Sequence, residues 1–187
     1  MTKQTKFIIA ISLQVLIILI IIGFKLLVLT GTDVMLKIQP VDPRDWLRGD
    51  YVTFQYDISR VPGYYFTTNG LDQVELKIND IIYVELRDHG GEWIASAFSK
   101  KPPTDGSVYI RGKVKNIRYA SRINSTDEPK LINSTISIEY GIEQYFIPEG
   151  TGQGVSFVNK DVVAQVTVDD HGNAVLKQVY VDKKPWP

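Results

Sequence analysis

The sequence has 187 residues with 21 Lys plus Arg and 21 Asp plus Glu, so its formal net charge is zero. Nucleic-acid-binding proteins typically carry a surplus of basic residues, which this sequence lacks. We therefore predict no nucleic-acid partner. Cysteine is absent, which excludes a disulfide, a thiolate nucleophile and a cysteine-ligated metal centre. We predict neither a cofactor nor a bound metal.

The first element is a long apolar segment at residues 7–29. Only Ser12, Gln14, Gly23 and Lys25 interrupt it. As a helix this segment spans roughly 34 Å, enough to cross a hydrocarbon core about 30 Å thick. It is longer than the apolar core of a signal peptide, and Val28-Leu29-Thr30 is a poor cleavage site. We therefore predict an uncleaved transmembrane helix that contacts the lipid bilayer through residues 7–29.

The charges around this segment predict its orientation in the cell membrane. Lys3 and Lys6 precede it, which favours a cytoplasmic N-terminus. Lys37, Arg44 and Arg48 follow closely, but long folded domains cross the membrane largely regardless of their charge. We predict a cytoplasmic N-terminus at residues 1–6, a transmembrane helix at 7–29 and an extracytoplasmic domain at 30–187.

Short β patterns follow the apolar segment. The predicted strands are residues 34–38, 51–58, 81–86, 93–97, 108–114, 134–140, 162–168 and 174–181. The alternation is clearest at 51–58, where Val52, Phe54, Tyr56 and Ile58 share one face. Turns rich in Pro, Gly and Asp separate the strands, with His89 and His171 inside two of them. Strands at this spacing predict an all-β fold, a sandwich or an open barrel, behind the helix.

Two segments have weaker patterns. Residues 71–77 are compatible with about one helical turn, and no longer helix is predicted in the domain. Residues 116–132 are polar, and we predict a long hairpin tip or loop there.

The densest motif occupies residues 40–56, PVDPRDWLRGDYVTFQY. Its prolines and aspartates are typical of capped turns, and Gly49 precedes a strand. Its candidate binding residues are Asp42, Arg44, Asp45, Arg48, Gly49, Asp50 and Tyr51. The competing interpretation is a salt-bridged turn that sets the register of the strand. A calcium site is disfavoured because the carboxylates lack the spacing of an EF-hand.

A second motif occupies residues 140–150, YGIEQYFIPEG. Its candidate binding residues are Tyr140, Glu143 and Glu149. Two carboxylates about 5–10 Å apart can hydrolyse a glycosidic bond, but Pro148 lies between these two and the spacing leaves their distance open. The competing interpretation is an outer strand face with a turn, in which Tyr140, Tyr145 and Phe146 pack.

These two motifs and the preceding apolar segment resemble the GDYXXLXY family of bacterial membrane-anchored proteins. Gly49, Asp50, Tyr51 and Tyr56 match the motif that names the family, and Phe54 stands in the place of its Leu. The resemblance implies one N-terminal span and an extracytoplasmic β domain. It implies no activity, and so provides no catalytic residues.

A fainter resemblance concerns residues 48–54, which are similar to the RGD strand of type I signal peptidases. Those enzymes use a serine activated by a neutral lysine. Here residues 30–38 contain no serine, and Ser59 and Arg60 stand where the lysine is expected. Because arginine stays protonated, the catalytic pair is missing.

We therefore predict a non-catalytic protein-interaction module that partners an integral, multi-pass membrane protein. The apolar helix shows no stripe of small residues, which favours contact through the domain over packing between spans. Two alternatives remain open. One is an envelope hydrolase acting on peptide or glycan, and the other is a binder of a small ligand or ion at the Asp–Arg turn.

Overall fold

The structure is a computed structural model that describes residues 3–39, 51–68, 72–73, 76–119, 134–148, 157 and 159–186. It contains one N-terminal helix followed by a domain of β-strands. The prediction of an all-β domain behind an N-terminal helix is confirmed.

The helix, α1, runs over Lys3–Thr30, slightly beyond the predicted segment at both ends. Residues Gln4–Gly23 are long and apolar enough to cross a membrane, and none of this stretch is buried. Only Gly31 separates α1 from the first strand. A Cβ at Gly31 would lie 2.6 Å from the carbonyl oxygen of Val168, so glycine allows the chain to enter the sheet at this close approach.

Two five-stranded antiparallel sheets form the domain. The strands are β1 Thr32–Gln39, β2 Tyr51–Thr53, β3 Gln55–Tyr56, β4 Arg60–Pro62, β5 Thr67–Thr68, β6 Asp72–Gln73, β7 Ile81–His89, β8 Glu92–Ser99, β9 Tyr109–Tyr119, β10 Ser134–Glu139, β11 Gln144–Phe146, β12 Val162–Val168, β13 Ala174–Val181 and β14 Lys184–Trp186. The first sheet has the order β14-β13-β12-β1-β3, and the second has the order β4-β10-β9-β7-β8. The pairs β2–β11 and β5–β6 form two small sheets.

One apolar core lies between the curled sheets. It forms because the strands alternate buried and exposed side chains, as in β1, where Val34, Leu36 and Ile38 point inward. The inward alternation predicted for Val52, Phe54, Tyr56 and Ile58 is confirmed, since each is at most 5% exposed. His171 lies at the turn expected for it, between β12 and β13. His89 is instead the last residue of β7, because it pairs with Glu92, and the turn follows at Gly90 and Gly91.

The structure differs from the strand prediction at residues 51–58. The chain pairs with β11 at 51–53 and with β1 at 55–56, and Asp57–Ser59 then form a short 3-10 helix. The backbone N–H of Tyr56 donates to the Ser59 hydroxyl at 3.2 Å. This bond closes the local turn at Asp57–Ser59. The strand therefore ends there, although the alternation of apolar and polar residues continues to Ile58.

Two further predictions are corrected. Asn116 to Tyr119 belong to β9, because they pair with residues 134–137 of β10; residues 120–133 lie outside the described residues. Asp72–Gln73 form β6 in place of the helical turn predicted over 71–77, because they pair with β5.

Candidate binding site

The described parts of the two sequence motifs, residues 51–56 and 140–148, lie side by side in the fold. β2 pairs antiparallel with β11, with Tyr51 opposite Phe146, Val52 opposite Tyr145 and Thr53 opposite Gln144. The backbone N–H of Phe54 extends the contact by donating to the Glu143 carbonyl at 2.7 Å. Residues about 90 positions apart in the chain therefore form one structural unit.

Two buried tyrosines brace this unit in opposite directions. The Tyr56 hydroxyl donates to the Ile142 carbonyl at 2.6 Å, and the Tyr140 hydroxyl donates to the Ile58 carbonyl at 2.6 Å. Burial, and then the charge of Glu143, raise the pKa of both Tyr56 and Tyr140. Both phenols therefore stay protonated and act as hydrogen-bond donors. The second Tyr of the family motif, Tyr56, has a structural role.

The carboxylate of Glu143 caps the turn between β10 and β11. One oxygen accepts from the Tyr140 N–H at 2.5 Å, and the other accepts from the Gly141 N–H at 2.8 Å. Gly141 has a φ of 82°, which glycine adopts without a steric penalty. Because both oxygens hold backbone donors, Glu143 stabilises the turn that positions Tyr140.

Phe54, at the Leu position of the family motif, packs within an aromatic cluster. Its ring lies 6.3 Å from Tyr145 and 6.1 Å from Phe157, and the Phe157 ring lies 5.1 Å from Trp186. A large apolar residue at this position therefore joins β2 to the last strand, β14. In contrast to the packing predicted for it, Phe146 leaves 73% of its surface exposed.

Most of the predicted binding residues cannot be placed relative to this unit. Asp42, Arg44, Asp45, Arg48, Gly49, Asp50 and Glu149 lie outside the described residues, and for Tyr51 only the backbone is described. A binding role for the Asp–Arg turn stays a prediction. The same holds for a separation of the Glu143 and Glu149 carboxylates that would allow hydrolysis of a glycosidic bond. Among the described residues, no group of three or more His, Asp or Glu side chains is placed to hold a metal ion.

A different feature, a pocket of about 230 Å³, opens where the two sheets approach each other. It is lined by Leu36, Lys37, Asp57, Ile58, Arg60, Val61, Pro62, Tyr64, Tyr65, Glu92, Trp93, Ile94, Ala95 and Phe98. The second sheet contributes both of its terminal strands, β4 and β8, and the first contributes β1. We call this pocket the seam pocket.

Charged side chains of both signs surround the seam pocket. The Lys37 ammonium lies 3.7 Å from a Glu92 carboxylate oxygen and 3.4 Å from a carboxylate oxygen of Asp161. Partial burial raises the pKa of Asp57, against the opposing effects of a hydrogen bond from Gln39 and the charge of Lys37. Arg60 makes no ion pair with the residues that the structure describes.

A row of four aromatic rings borders the seam pocket, and three of them, Tyr64, Tyr65 and Phe98, line it. Tyr64 stacks on Tyr65 with ring centroids 4.4 Å apart, Tyr65 contacts Phe98 at 5.2 Å, and Phe98 contacts Phe66 at 5.7 Å. Tyr64 is 51% exposed, Tyr65 is 48% exposed and Phe66 is 3% exposed, so the row extends from solvent into the core. We call it the aromatic row.

Sequence reasoning missed the seam pocket. Its residues come from separate stretches around positions 37, 60 and 94, and no local motif joins them. The adjacent Tyr64 and Tyr65, directly after Pro62-Gly63, were the available signal, since Pro-Gly marks a turn and turns run over the surface.

The fold and these contacts define a class of protein, an all-β domain placed directly behind one long apolar helix. The GDYXXLXY protein family matches residues 14–179, and the chain belongs to this family. Family membership assigns no activity to it. A search of curated proteins and a search of solved structures each found no match.

Proposed function

We propose that this chain is a non-catalytic protein-interaction module, anchored in the cell membrane by α1 and displayed outside the cytoplasm. Its partner is an integral membrane protein, which the β domain contacts. The observation that carries this proposal is the exposed aromatic row beside the seam pocket, behind a helix that can anchor it.

The surface of α1 supports the anchor. Residues 4–23 are all exposed, and from Phe7 onward only Ser12, Gln14 and Gly23 interrupt the apolar run. In water such a surface would be unfavourable by about 25 cal/mol per Å² of apolar area. A lipid bilayer removes that cost, whereas the described part of the β domain does not cover this stretch.

The aromatic row supports binding to protein. Tyrosine combines a large apolar face with a hydroxyl group, and it is enriched among the residues that dominate binding energy. The Tyr64 and Tyr65 rings already stack on each other, which reduces the side-chain freedom that is lost when a partner binds. The Glu143 carboxylate, by contrast, is held by two backbone donors, which favours a structural role over hydrolysis of a glycan.

A small polar ligand is a second candidate because the seam pocket is concave and has charges of both signs. Lys37 and Arg60 can bind carboxylate or phosphate oxygens, and Asp57 and Glu92 can bind hydroxyl or amino groups. A variant of this candidate is a small ligand or an ion bound at the Asp–Arg turn. Thermal unfolding of the protein with and without calcium tests whether an ion binds there.

Photo-crosslinking in the native membrane tests the main proposal. A photoreactive amino acid at Tyr64 should form an adduct with an integral membrane protein that stays in the membrane after an alkaline wash. The control position is Val175, an exposed residue of β13. Equal adducts at both positions, or none at Tyr64, would contradict the proposal.

A further inference from the structure

The helix α1 carries one side chain that a lipid bilayer does not solvate. Between residues 7 and 23 the polar side chains are Ser12 and Gln14. A serine hydroxyl can bond to a backbone carbonyl one turn earlier in its own helix. The Gln14 side chain ends in an amide with N–H donors and a carbonyl acceptor, and the backbone of a helix in lipid is already bonded internally. The amide therefore needs a partner from outside α1.

Gln14 lies deep in the span. It stands at the centre of the stretch Gln4–Gly23, and about 6 Å from the centre of the apolar segment 7–29. The headgroups begin about 15 Å from the midplane of the bilayer. None of Gln4–Gly23 is buried, so the described part of the β domain does not cover this amide. An amide without hydrogen bonds is strongly disfavoured in hydrocarbon.

Helix geometry identifies the face that carries the amide. At about 100° per residue, Ala10, Ile17 and Ile21 lie within about 60° of Gln14. Their alternating spacing of three and four residues is that of a coiled-coil seam. We call Ala10, Gln14, Ile17 and Ile21 the glutamine face, and all four residues are exposed. Isoleucine has one strongly preferred rotamer in a helix, so it loses little side-chain freedom when a second helix packs on it.

The chemistry of the amide identifies the occupant of this face. Because an amide has both a donor and an acceptor, it is complementary to a second copy of itself. Copies of one chain enter the membrane in one orientation, which places their Gln14 residues at the same depth. Around a two-fold axis these residues face each other, and one polar residue in an apolar seam fixes the register of such a pair. A helix of another protein would need its own polar residue at this depth.

We propose that two copies of this chain associate in the membrane through the glutamine face of α1, with their Gln14 amides hydrogen-bonded to each other. The helix lacks the stripe of small residues that brings backbones into close contact, so the hydrogen bond supplies what packing alone does not. This inference rests on the anchoring of α1 in the proposed function. It adds that each assembly presents two β domains, and therefore two aromatic rows, to the partner.

Disulfide mapping in native membranes tests the proposal, because the chain has no cysteine of its own. Single cysteines replace Ile17 and Ile21 on the glutamine face, which are 50% and 56% exposed, and Leu16 and Leu19 on the other side, which are 53% and 58% exposed. The membranes are oxidised with copper phenanthroline. We expect linked dimers from Ile17→Cys and Ile21→Cys only, because cysteines that point apart cannot be bridged.

Changes at position 14 test the hydrogen bond itself. In the Ile21→Cys protein, Gln14→Leu should lower the dimer yield about three- to tenfold, as for the loss of an interhelical hydrogen bond in a membrane. Gln14→Asn keeps the amide and should retain most of the yield. Ser12→Ala, on the opposite side of α1, is the matched control and should leave the yield unchanged. Recovery in the alkaline-resistant pellet verifies that each variant is inserted.

Three outcomes would overturn the inference while the protein stays in that pellet. These are equal crosslinking from both sides of α1, a dimer yield that Gln14→Leu leaves unchanged, and adducts of Ile21→Cys whose mass shows a different protein. Photo-crosslinks from Tyr64 that persist alongside such a result would mean that the proposed function holds without a dimer. Recovery of the wild-type chain in the soluble fraction would instead overturn the anchor, and with it both proposals.

Discussion

At the residue scale, the tyrosine hydroxyls explain why the motif that names the family matters to this chain. Tyr56 donates to the Ile142 carbonyl of the second motif, and Tyr140 donates to the Ile58 carbonyl, two residues after the first motif. Neither hydroxyl is available to a ligand, because each is buried and already bonded. These two hydrogen bonds hold the two segments together regardless of which partner the protein binds.

Removing either hydroxyl should destabilise the domain. We expect Tyr56→Phe and Tyr140→Phe each to lower the free energy of unfolding by about 1–3 kcal/mol, because each leaves a buried carbonyl without its donor. The measurement is denaturant unfolding of the full chain in detergent, followed by tryptophan fluorescence.

Tyr119→Phe is the control, since Tyr119 is 42% exposed and should be nearly neutral. If both buried variants matched this control, the hydroxyls would not brace the two motifs.

Sequence predicted part of this residue-scale description. The alternation of Val52, Phe54, Tyr56 and Ile58 identified the buried side chains because burial on a strand follows a period of two. The hydrogen-bond acceptors lie 82 and 86 residues from their donors in the chain. Pairing over such distances is fixed by tertiary packing, which a local pattern does not contain.

At the element scale, Asp33 joins three strands at the end of the first sheet next to α1. Its carboxylate accepts from Thr167 at 2.6 Å, from Lys177 at 2.8 Å and from Gln165 at 3.0 Å. The hydrogen bond from Lys177, followed by that from Thr167, lowers the pKa of Asp33 below its ordinary 3.8. β1, β12 and β13 are thereby linked through one carboxylate.

This link should make the free energy of unfolding of the domain depend on pH in the acidic range. Because the pKa of Asp33 is lower in the folded state, its stabilising contribution is present above pH 3.8 and is lost as the pH falls through the lower folded value. We expect Asp33→Asn to lower stability at neutral pH and to flatten the loss of stability below about pH 4. Urea unfolding across this pH range measures both effects.

Asp170→Asn, at an exposed turn position, is the matched control and should leave the acid profile unchanged. An Asp33→Asn profile that coincides with the wild type would show that the carboxylate does not link the strands.

The helix α1 carries the second prediction at this scale. Ile17 and Ile21 are 50% and 56% exposed near its middle, and each lysine placed there costs about 3 kcal/mol of insertion free energy. We expect the double variant Ile17→Lys/Ile21→Lys to shift protein from the alkaline-resistant membrane pellet to the soluble fraction.

The conservative double variant Ile17→Leu/Ile21→Leu should remain in the pellet. Equal fractionation of the lysine and leucine variants would contradict an anchoring role for α1.

Element boundaries were harder to predict than element types. Residues 51–58 have a continuous apolar alternation, yet the chain changes partner at Phe54 and turns at Asp57–Ser59. The far end of β9 had a weak apolar signal, because only Ile117 packs against the core there while Lys115, Asn116 and Arg118 are exposed. Their backbone nevertheless pairs with or lies beside β10. Hydrogen bonding to a neighbouring strand fixes these limits independently of hydrophobicity.

At the scale of the whole molecule, the curling of the sheets creates the seam pocket. β4 and β8 lie at opposite ends of one sheet, and both line the pocket together with β1 of the other sheet. The sequence predicted a sandwich or an open barrel, but the meeting of these edges depends on twist and curvature, which residue patterns do not specify. For this reason the residues that line the candidate site belong to neither of the motifs that first attracted attention.

The proposed function depends most on the display of this β domain outside the cytoplasm by α1. The chain has no cysteine, so single cysteines at Thr5, before the apolar segment at residues 7–29, and at Thr104, in an exposed turn of the domain, report on the two sides of the membrane. A membrane-impermeant maleimide applied to spheroplasts should label Thr104→Cys, and it should label Thr5→Cys only after the membrane is permeabilised. Labelling of Thr5→Cys in sealed spheroplasts, with Thr104→Cys protected, would contradict the account.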